Sequence, residues 1–381
     1  MKQLKSNFDS YLLFFILLIM IFSCFSLYSA QKYSQFPIPY MEKQLQWFAI
    51  GFMIMAIIFY FDMKAIQNLS PYLYAFGIVL LLFVLFGPAK LTPEINGAKS
   101  WISLPGISIQ PSEFMKIFLI LMLSNSVYKH RKKYDIGDVK KDVLLIWKIG
   151  LISFLPLILT LLQNDFGTTL VMFVIVMAIL FVSGIHKMLI WGVIGFLLLV
   201  IAGLVVTYII NPVLLLHLLD DYQLNRIYSW LDPFQFSQGI GYQLSQSIMA
   251  IGSGLSSGKG FNQTSVFIPE AHTDFIFAIV GEEYGFIGGT VLILVYFLII
   301  YRIVRIGMMS TSFESYICAG ISAYITFHIF QNIGMVSGLL PITGIPLPLM
   351  SYGGSSVMST MLGLSIVLNI SLKRKKYMFS D

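Results

Sequence analysis

Apolar residues run along this chain in blocks of about 18 or more, and a block of that length matches the hydrocarbon thickness of a bilayer at the rise of an α-helix. The blocks lie near residues 10–30, 45–61, 71–87, 111–128, 144–162, 167–184, 188–210, 274–301, 314–338 and 352–372. They predict an all-α integral membrane protein with about ten transmembrane helices, and an even number puts both termini on one side. One connection breaks the rhythm. Residues 211–273 form a long loop between the seventh and eighth helices, and a loop of that size without a task of its own is uncommon. Within it, Gly241 to Ile251 is patterned as a short interfacial helix, and the glycine-rich piece that follows reads as flexible backbone.

Composition agrees: of 381 residues 57% are hydrophobic and 11% charged, with a mean hydropathy of +0.83. Residues 1–381 therefore read as a single polytopic membrane domain. Lys and Arg concentrate in the N-terminus, the even-numbered loops and the C-terminal tail, as in Lys129, Arg131, Lys132, Lys133, Lys140, Lys141 and the run Lys373-Arg374-Lys375-Lys376. By the positive-inside rule the termini are cytoplasmic and residues 211–273 external. These clusters are read as topology determinants facing an anionic leaflet, ahead of a reading as lipid-recognition patches, with no nucleic acid as partner. Lys2 and Lys5 precede a segment with no small-x-small cleavage site, so the first span is expected to stay uncleaved. Cys24 and Cys318 both fall inside spans and read as packing residues.

The polar chemistry gathers in three external loops. Glu270, His272, Thr273, Asp274, Glu282 and Glu283 sit at and inside the start of the eighth apolar block, where carboxylates are expensive and mark function. The loop after the third span carries Asn96-Gly97-Ala98-Lys99-Ser100-Trp101-Ile102 and then Gln110-Pro111-Ser112-Glu113-Phe114-Met115-Lys116. Pro111 suits a first helical turn. Glu113 and Lys116, three apart, share a helix face, as a buried ion pair joining helices or as the lining of a polar cavity. Asp165, in Asn164-Asp165-Phe166-Gly167-Thr168-Thr169, is placed to cap the sixth helix. Residues 339–356 hold no charge but three prolines and Gly353-Gly354-Ser355-Ser356. Irregular backbone of this kind at membrane depth needs protein or a water-filled cavity beside it. No His/Cys/carboxylate cluster has metal-ligand spacing, and no phosphate-binding loop, dinucleotide fingerprint or nucleophile elbow is present. His186, His217 and His328 read as structural.

Taken together, GAKSWI with QPSEFMK, NDFGTT, RIYSWLDP with GYQLSQS, GSGLSSGKG, PEAHTDFIFAIVGEE and GLLPITGIPLPLMSYGGSS resemble, in order and over nearly the whole chain, the SEDS family of bacterial cell-wall polymerases. GKG and TGIPLP look more like the RodA-like elongation branch than the division or sporulation branches. The resemblance implies a peptidoglycan glycosyltransferase that polymerises lipid II on the outer face of the cytoplasmic membrane. It also implies a class B penicillin-binding protein as partner, alongside other elongation-complex membrane proteins. Asp274 matches the family's essential aspartate, and Trp101, Glu113, Lys116 and Asp165 match other cavity positions. Many relatives carry Arg immediately before the tryptophan; here that place is Ser100, and Lys99 is the nearest cation.

The residues fit such a reaction on chemical grounds. Transfer from a diphosphate donor needs a base for the acceptor hydroxyl and cations for the leaving group. Asp274 is the expected base. Lys116, Arg226 and Lys259 are the expected cations, with Lys99, Trp101, Asp165, His272, Thr273, Ser355 and Ser356 completing the cavity. A divalent cation, Mg2+ or Mn2+, would use Asp274 as its ligand; no organic cofactor is expected. Glu282 and Glu283 are expected deeper along the same helix. A lipid II flippase or transporter is the rival reading, since intramembrane Glu and Lys beside broken backbone also describe a transport path; a cell-wall scaffold is the third.

The orientation is tested by cysteine labelling. Gln235→Cys should react with an impermeant thiol reagent added outside the cell, and labelling confined to the cytoplasmic side would reverse the assignment.

Overall fold

The computed structural model describes residues 8–33, 39–95, 97–210 and 221–373. Residues 211–220, Asn96, and the expected basic signals at Lys2, Lys5 and Arg374 to Lys376 lie outside them, as does His217. Ten long helices fall on the ten expected blocks: α1 Ser10–Ala30, α2 Tyr40–Tyr60, α3 Met63–Phe86, α4 Pro111–Lys133, α5 Val139–Leu162, α6 Phe166–Val182, α7 Lys187–Ile210, α10 Ile276–Met308, α11 Ser312–Val336 and α12 Gly354–Lys373. Among its described residues, 221–273, the long loop contains two short helices, α8 Asp221–Leu231 and α9 Tyr242–Ser253. The second is the expected one; the first is an addition. Before α4 a two-stranded antiparallel hairpin pairs β1 Ile102–Leu104 with β2 Ile107–Ile109. Among the described residues, six helices are long and apolar enough to cross a membrane.

Large apolar side chains cover the outside, as a hydrocarbon solvent selects, and the apolar core holds polar groups among its side chains. Phe14, Ile21 and Phe25 of α1 are exposed, while Ser23, Ser26 and Ser29 of the same helix are buried. Glu113, Lys116, Glu282, Glu283, His328, Asn332 and Asn369 are buried too.

Both in-helix prolines show how the bilayer's demand for satisfied backbone is met. Pro156 leaves the Ile152 carbonyl without its donor, and Tyr74 supplies one at 2.7 Å. Pro71 does the same to Gln67, whose carbonyl accepts from Ser70 Oγ at 2.8 Å and Asn125 Nδ2 at 3.2 Å. The third helix accordingly begins at Met63 and not near 71, because this proline sits inside a helix whose freed carbonyl has side-chain donors.

The odd-numbered connections gather at one end. Gln44 donates to Ser351 O, Lys99 N–H to Gln163 O, and Lys32 Nζ to Asn262 O. At the other end Arg302 pairs with Asp9, and the Asp9 N–H donates to Ser371 Oγ at 3.3 Å, so the two ends of the described chain lie together.

One helix is broken. Gly285 has φ +62° and ψ −160° inside α10, and the chain turns so sharply there that a Cβ on Gly289 would stand 3.4 Å from the Phe277 ring. A straight helix would separate those positions by roughly 18 Å. The freed backbone groups are taken up by the glycine-rich piece of the long loop. Lys259 N–H and Gly260 N–H donate to the carbonyls of Glu282 and Glu283, and Phe286 N–H and Ile287 N–H donate to those of Leu255 and Ser256. Such close approach requires glycine: a Cβ on Gly258, at φ +78°, would stand 2.1 Å from Glu283 O. These glycines plug a helix break.

Gly258→Ala is therefore expected to destabilise the detergent-solubilised protein by at least about 2 kcal/mol, read as a fall in its thermal unfolding midpoint. Gly150→Ala, where a Cβ meets nothing within 4 Å, should leave the midpoint unchanged or slightly raised.

Candidate active site

Asp274 lies in the turn that leads into α10, where four elements meet. Its main-chain carbonyl accepts from Asn332 Nδ2 at 2.7 Å, and the same amide donates to Ile345 O at 2.8 Å. Asn332 of α11 thus fixes the aspartate's segment against the 339–353 loop. Arg226 arrives from α8 and donates Nη1 to Ile342 O at 3.0 Å. Gly344, at φ +72°, sits between the two charges: a Cβ there would stand 3.4 Å from Asp274 Oδ2 and 3.8 Å from Arg226 Nη2. The missing side chain leaves open the space on which carboxylate and guanidinium converge.

Asp274 keeps partial solvent access. Burial nevertheless pushes its carboxyl up to about 6; Arg226 pulls it down and Glu270 adds a smaller upward push. Around neutrality the group is ionised yet basic enough to accept a proton.

The neighbouring residues form a wall. The His272 ring stacks on Tyr40 with centroids 3.8 Å apart, and its carbonyl accepts from Tyr352 N–H at 2.8 Å. Burial lowers the imidazole to about 4, so the 3.5 Å contact between Nε2 and Glu270 Oε2 joins a neutral ring to a carboxylate. Thr273 turns its hydroxyl back onto Glu270 O at 2.9 Å. Glu270 itself has φ +55°.

Other expected site residues are engaged elsewhere. Asp165 caps α6 through Thr168 N–H at 3.1 Å, and its second oxygen accepts from Gln110 Nε2 and Ser112 Oγ. Ser355 accepts from Gln110 N–H at 2.9 Å, and Ser356 O accepts from Ser359 Oγ. Glu113 and Lys116 form a 2.7 Å ion pair with both side chains buried, so joining helices is the role the geometry supports. Ser359 of α12 donates to Glu113 Oε2, and Lys116 Nζ reaches His328 Nε2 at 3.0 Å. His328 Nδ1 lies 3.0 Å from Pro346 O. With the lysine charged, these contacts assign the proton to Nδ1, and the chain of bonds seats the loop that carries Gly344.

Lys99 donates Nζ to Leu85 O and Gly87 O, closing the C-terminal end of α3. Ser100 beside it is buried. Lys259 pairs with Glu282 at 2.6 Å and donates to Ser265 Oγ at 2.7 Å. Glu282 Oε1 also accepts the N–H groups of Ser265 and Val266, and Glu283 Oε1 that of Asn262. Both acids are held by the long loop. Because α10 is broken at Gly285, their distance along the helix does not translate into depth. Trp101 is partly buried at the entry to the hairpin.

Arg226, His272 and Thr273 thus gather around Asp274, whereas Lys99, Lys116 and Lys259 serve other groups. His328 is structural, as expected, whereas Asn332, Gly344 and Tyr40 are the residues that sequence reasoning missed.

Comparison with known proteins gives concordant matches. A family model described as cell cycle protein, FtsW/RodA/SpoVE, matches residues 7–376. The peptidoglycan glycosyltransferase MrdB of Escherichia coli K12 is 35% identical over 377 residues, covering 97% of this chain and 95% of that protein. Among solved structures, a chain of a peptidoglycan synthase complex, in which polymerization and crosslinking are structurally coordinated, superposes with a TM-score of 0.77 at 27% identity, covering 96% and 98% of the two chains. The crystal structure of the Thermus thermophilus rod shape determining protein RodA gives a TM-score of 0.69 at 25% identity, covering 96% and 97%.

The buried pair yields a test of its own. Lys116→Met leaves Glu113 uncompensated and should cost about 3–5 kcal/mol, seen as a large fall in the unfolding midpoint. Adding Glu113→Gln should restore much of it.

Proposed function

The chain belongs to the FtsW/RodA/SpoVE family of cell cycle proteins, and from that premise we propose that it is a peptidoglycan glycosyltransferase. It joins lipid II units into glycan strands during cell elongation. The observation that carries this reading is the convergence of Asp274 and Arg226 on the space left open by Gly344. A carboxylate pushed up to about 6 and a fixed guanidinium are the two charges that glycosyl transfer from a diphosphate requires.

In the mechanism we favour, Asp274 accepts the proton of the acceptor sugar's 4-hydroxyl as that oxygen attacks the anomeric carbon of the donor. The glycosidic bond forms with inversion. The bond to the lipid diphosphate breaks, and its electron pair leaves with the diphosphate. Arg226, planar and always charged, is placed to stabilise that leaving group. Of the three cations expected from sequence it is the one whose charge acts on Asp274, while Lys116 and Lys259 are paired with glutamates. Asn332 holds the aspartate's backbone, and neutral His272 packs beside it.

Among the described residues no three His, Cys, Asp or Glu side chains converge as a metal cage. A divalent cation, Mg2+ or Mn2+, fits here only as an ion carried on the substrate's diphosphate, with Asp274 as its protein ligand and water completing the shell. Its chemistry would be to offset the leaving group's charge.

The protein is multi-pass. We place both termini in the cytoplasm of a bacterial cell and Asp274 on the external face of its plasma membrane, because the Lys and Arg bias orients it so. The similarity to a chain of a synthase complex that coordinates polymerization with crosslinking supports a class B penicillin-binding protein as partner, with other elongation-complex membrane proteins around it.

Asp274→Asn should lower lipid II turnover by about 10²- to 10⁴-fold with the unfolding midpoint near that of the unaltered protein. Glu282→Gln should weaken the seat of the long loop and lower stability. Near-normal turnover by Asp274→Asn, or a larger loss of turnover in a stably folded Glu282→Gln, would remove Asp274 from the catalytic role.

A further inference from the structure

At the end of the molecule opposite Asp274, the last turn of α4 and the first half of α5 enclose a cavity of about 480 Å³. Lys129 and Lys133 line it from one helix, Lys148 from the other, with Tyr134, Trp147 and Leu151 between them. Three exposed lysine side chains thus line one space. Lys141 adds a fourth charge nearby, since it and Lys133 lie over the Tyr134 ring at 4.9 and 5.2 Å.

Among the described residues no carboxylate lies within ion-pair distance of Lys129, Lys133 or Lys148. The acids nearest in sequence have other duties. Asp142 is buried against Arg131 and the His186 N–H, and Asp138 caps α5. Asp135 is exposed in the turn. Lys148 is the informative member. It follows Leu144-Leu145-Ile146-Trp147 inside an apolar stretch, roughly 13 Å along the helix from its start, where an uncompensated ammonium is costly. A topology signal would sit at the helix end, in water. This lysine instead faces a cavity already lined by two others.

The rest of the cavity's surroundings are apolar. Leu144, Trp147 and Leu151 of α5 are 47%, 69% and 63% exposed, on a face that meets lipid in a bilayer. A ligand that satisfies both halves carries negative charge at one end and hydrocarbon at the other.

We propose that this cavity binds the phosphodiester headgroup of an anionic phospholipid. Lys129, Lys133 and Lys148 hold the phosphate, and Trp147, Leu144 and Leu151 lie along the acyl chains. Neutralising the three lysines fixes the α4–α5 hairpin at the membrane surface, next to the Arg131–Asp142 pair that joins it to the α6–α7 turn through Ser183 and His186. The site is independent of the glycosyltransferase reading and stands or falls without it.

The test uses the full-length protein in phosphatidylcholine vesicles containing a minor fraction of either brominated phosphatidylglycerol or brominated phosphatidylcholine. Quenching of Trp147 is isolated as the difference between the protein and its Trp147→Phe variant. The anionic lipid should quench Trp147 several-fold more strongly. The preference should fall by roughly fivefold for each lysine removed in Lys129→Gln, Lys133→Gln and Lys148→Gln, the ratio that about 1 kcal/mol per basic group gives. Lys132→Gln with Lys140→Gln, exposed lysines outside the cavity, should leave it unchanged. If the triple variant does not fold, Lys148→Gln alone supplies the comparison. Equal quenching by the two lipids, a preference that survives loss of the lysines, or an equal loss in the control pair would overturn the proposal. Abolition of the preference by millimolar inorganic phosphate would show a bare anion site and overturn the assignment to lipid.

Discussion

Inside a bilayer a backbone N–H or C=O has no water to turn to, so any break in a helix must be matched by groups supplied from elsewhere in the chain. The break at Gly285 is the place where this constraint organises the protein. Without the turn there, Asp274 would stand at the top of a straight helix, clear of the loops around it. With the turn, the stretch before Gly285 folds back against α9, and the backbone groups it exposes are taken up by residues 255–260. The long loop is pinned by the same bonds that close the helix, and Lys259, Ser265 and Asn262 are drawn onto Glu282 and Glu283. Two acids expected deeper along the helix are, in the structure, what fastens the loop.

A second buried network sets the opposite wall. The chain of contacts Ser359–Glu113–Lys116–His328–Pro346 crosses three helices before it reaches the uncharged 339–353 loop, and Asn332 ties that loop directly to Asp274. Charges this deep contribute little net stability while paired and are costly when orphaned. Their use here is positional: the loop has no regular hydrogen bonding of its own, and fixed points on α11 and α12 give it one shape. Arg226 adds a third tether through Ile342 O. The candidate base and the candidate leaving-group cation are thereby held by different elements, yet face one another across a residue without a side chain.

Much of this was legible in the chain. The ten apolar blocks, the long loop with its short helix, the capping role open to Asp165 and the i, i+3 pairing of Glu113 with Lys116 follow from local spacing, and Asp274 stood out as an acid at the start of an apolar run. What was not legible depends on partners far away in sequence. A glycine in a helical pattern is ordinarily tolerated, so Gly285 gave no sign of φ +62°. The apolar block near 71–87 begins at Pro71, and the helix extends back to Met63 because the donors that rescue Gln67 O come partly from Asn125 on another helix. A lysine near a site reads as a substrate cation. Whether it is free depends on tertiary neighbours, which claim Lys99 for the end of α3 and Lys259 for Glu282. Asn332 and His328 are single polar residues on an apolar helix, and only their partners distinguish them from packing.

The central claim is that Asp274 acts as a base whose proton affinity is set by burial against the pull of Arg226. The pH dependence of lipid II polymerisation, measured as kcat/KM on the purified protein with its partner, tests it most directly. A base must be ionised to act, so activity should fall on the acid side with a midpoint near the value of about 6 that burial gives the carboxyl. Removing the guanidinium in Arg226→Gln takes away a downward pull, so the acid limb of the residual activity should move to higher pH. An acid limb at the ordinary carboxylate value near 4, or one that Arg226→Gln leaves in place, would contradict the account.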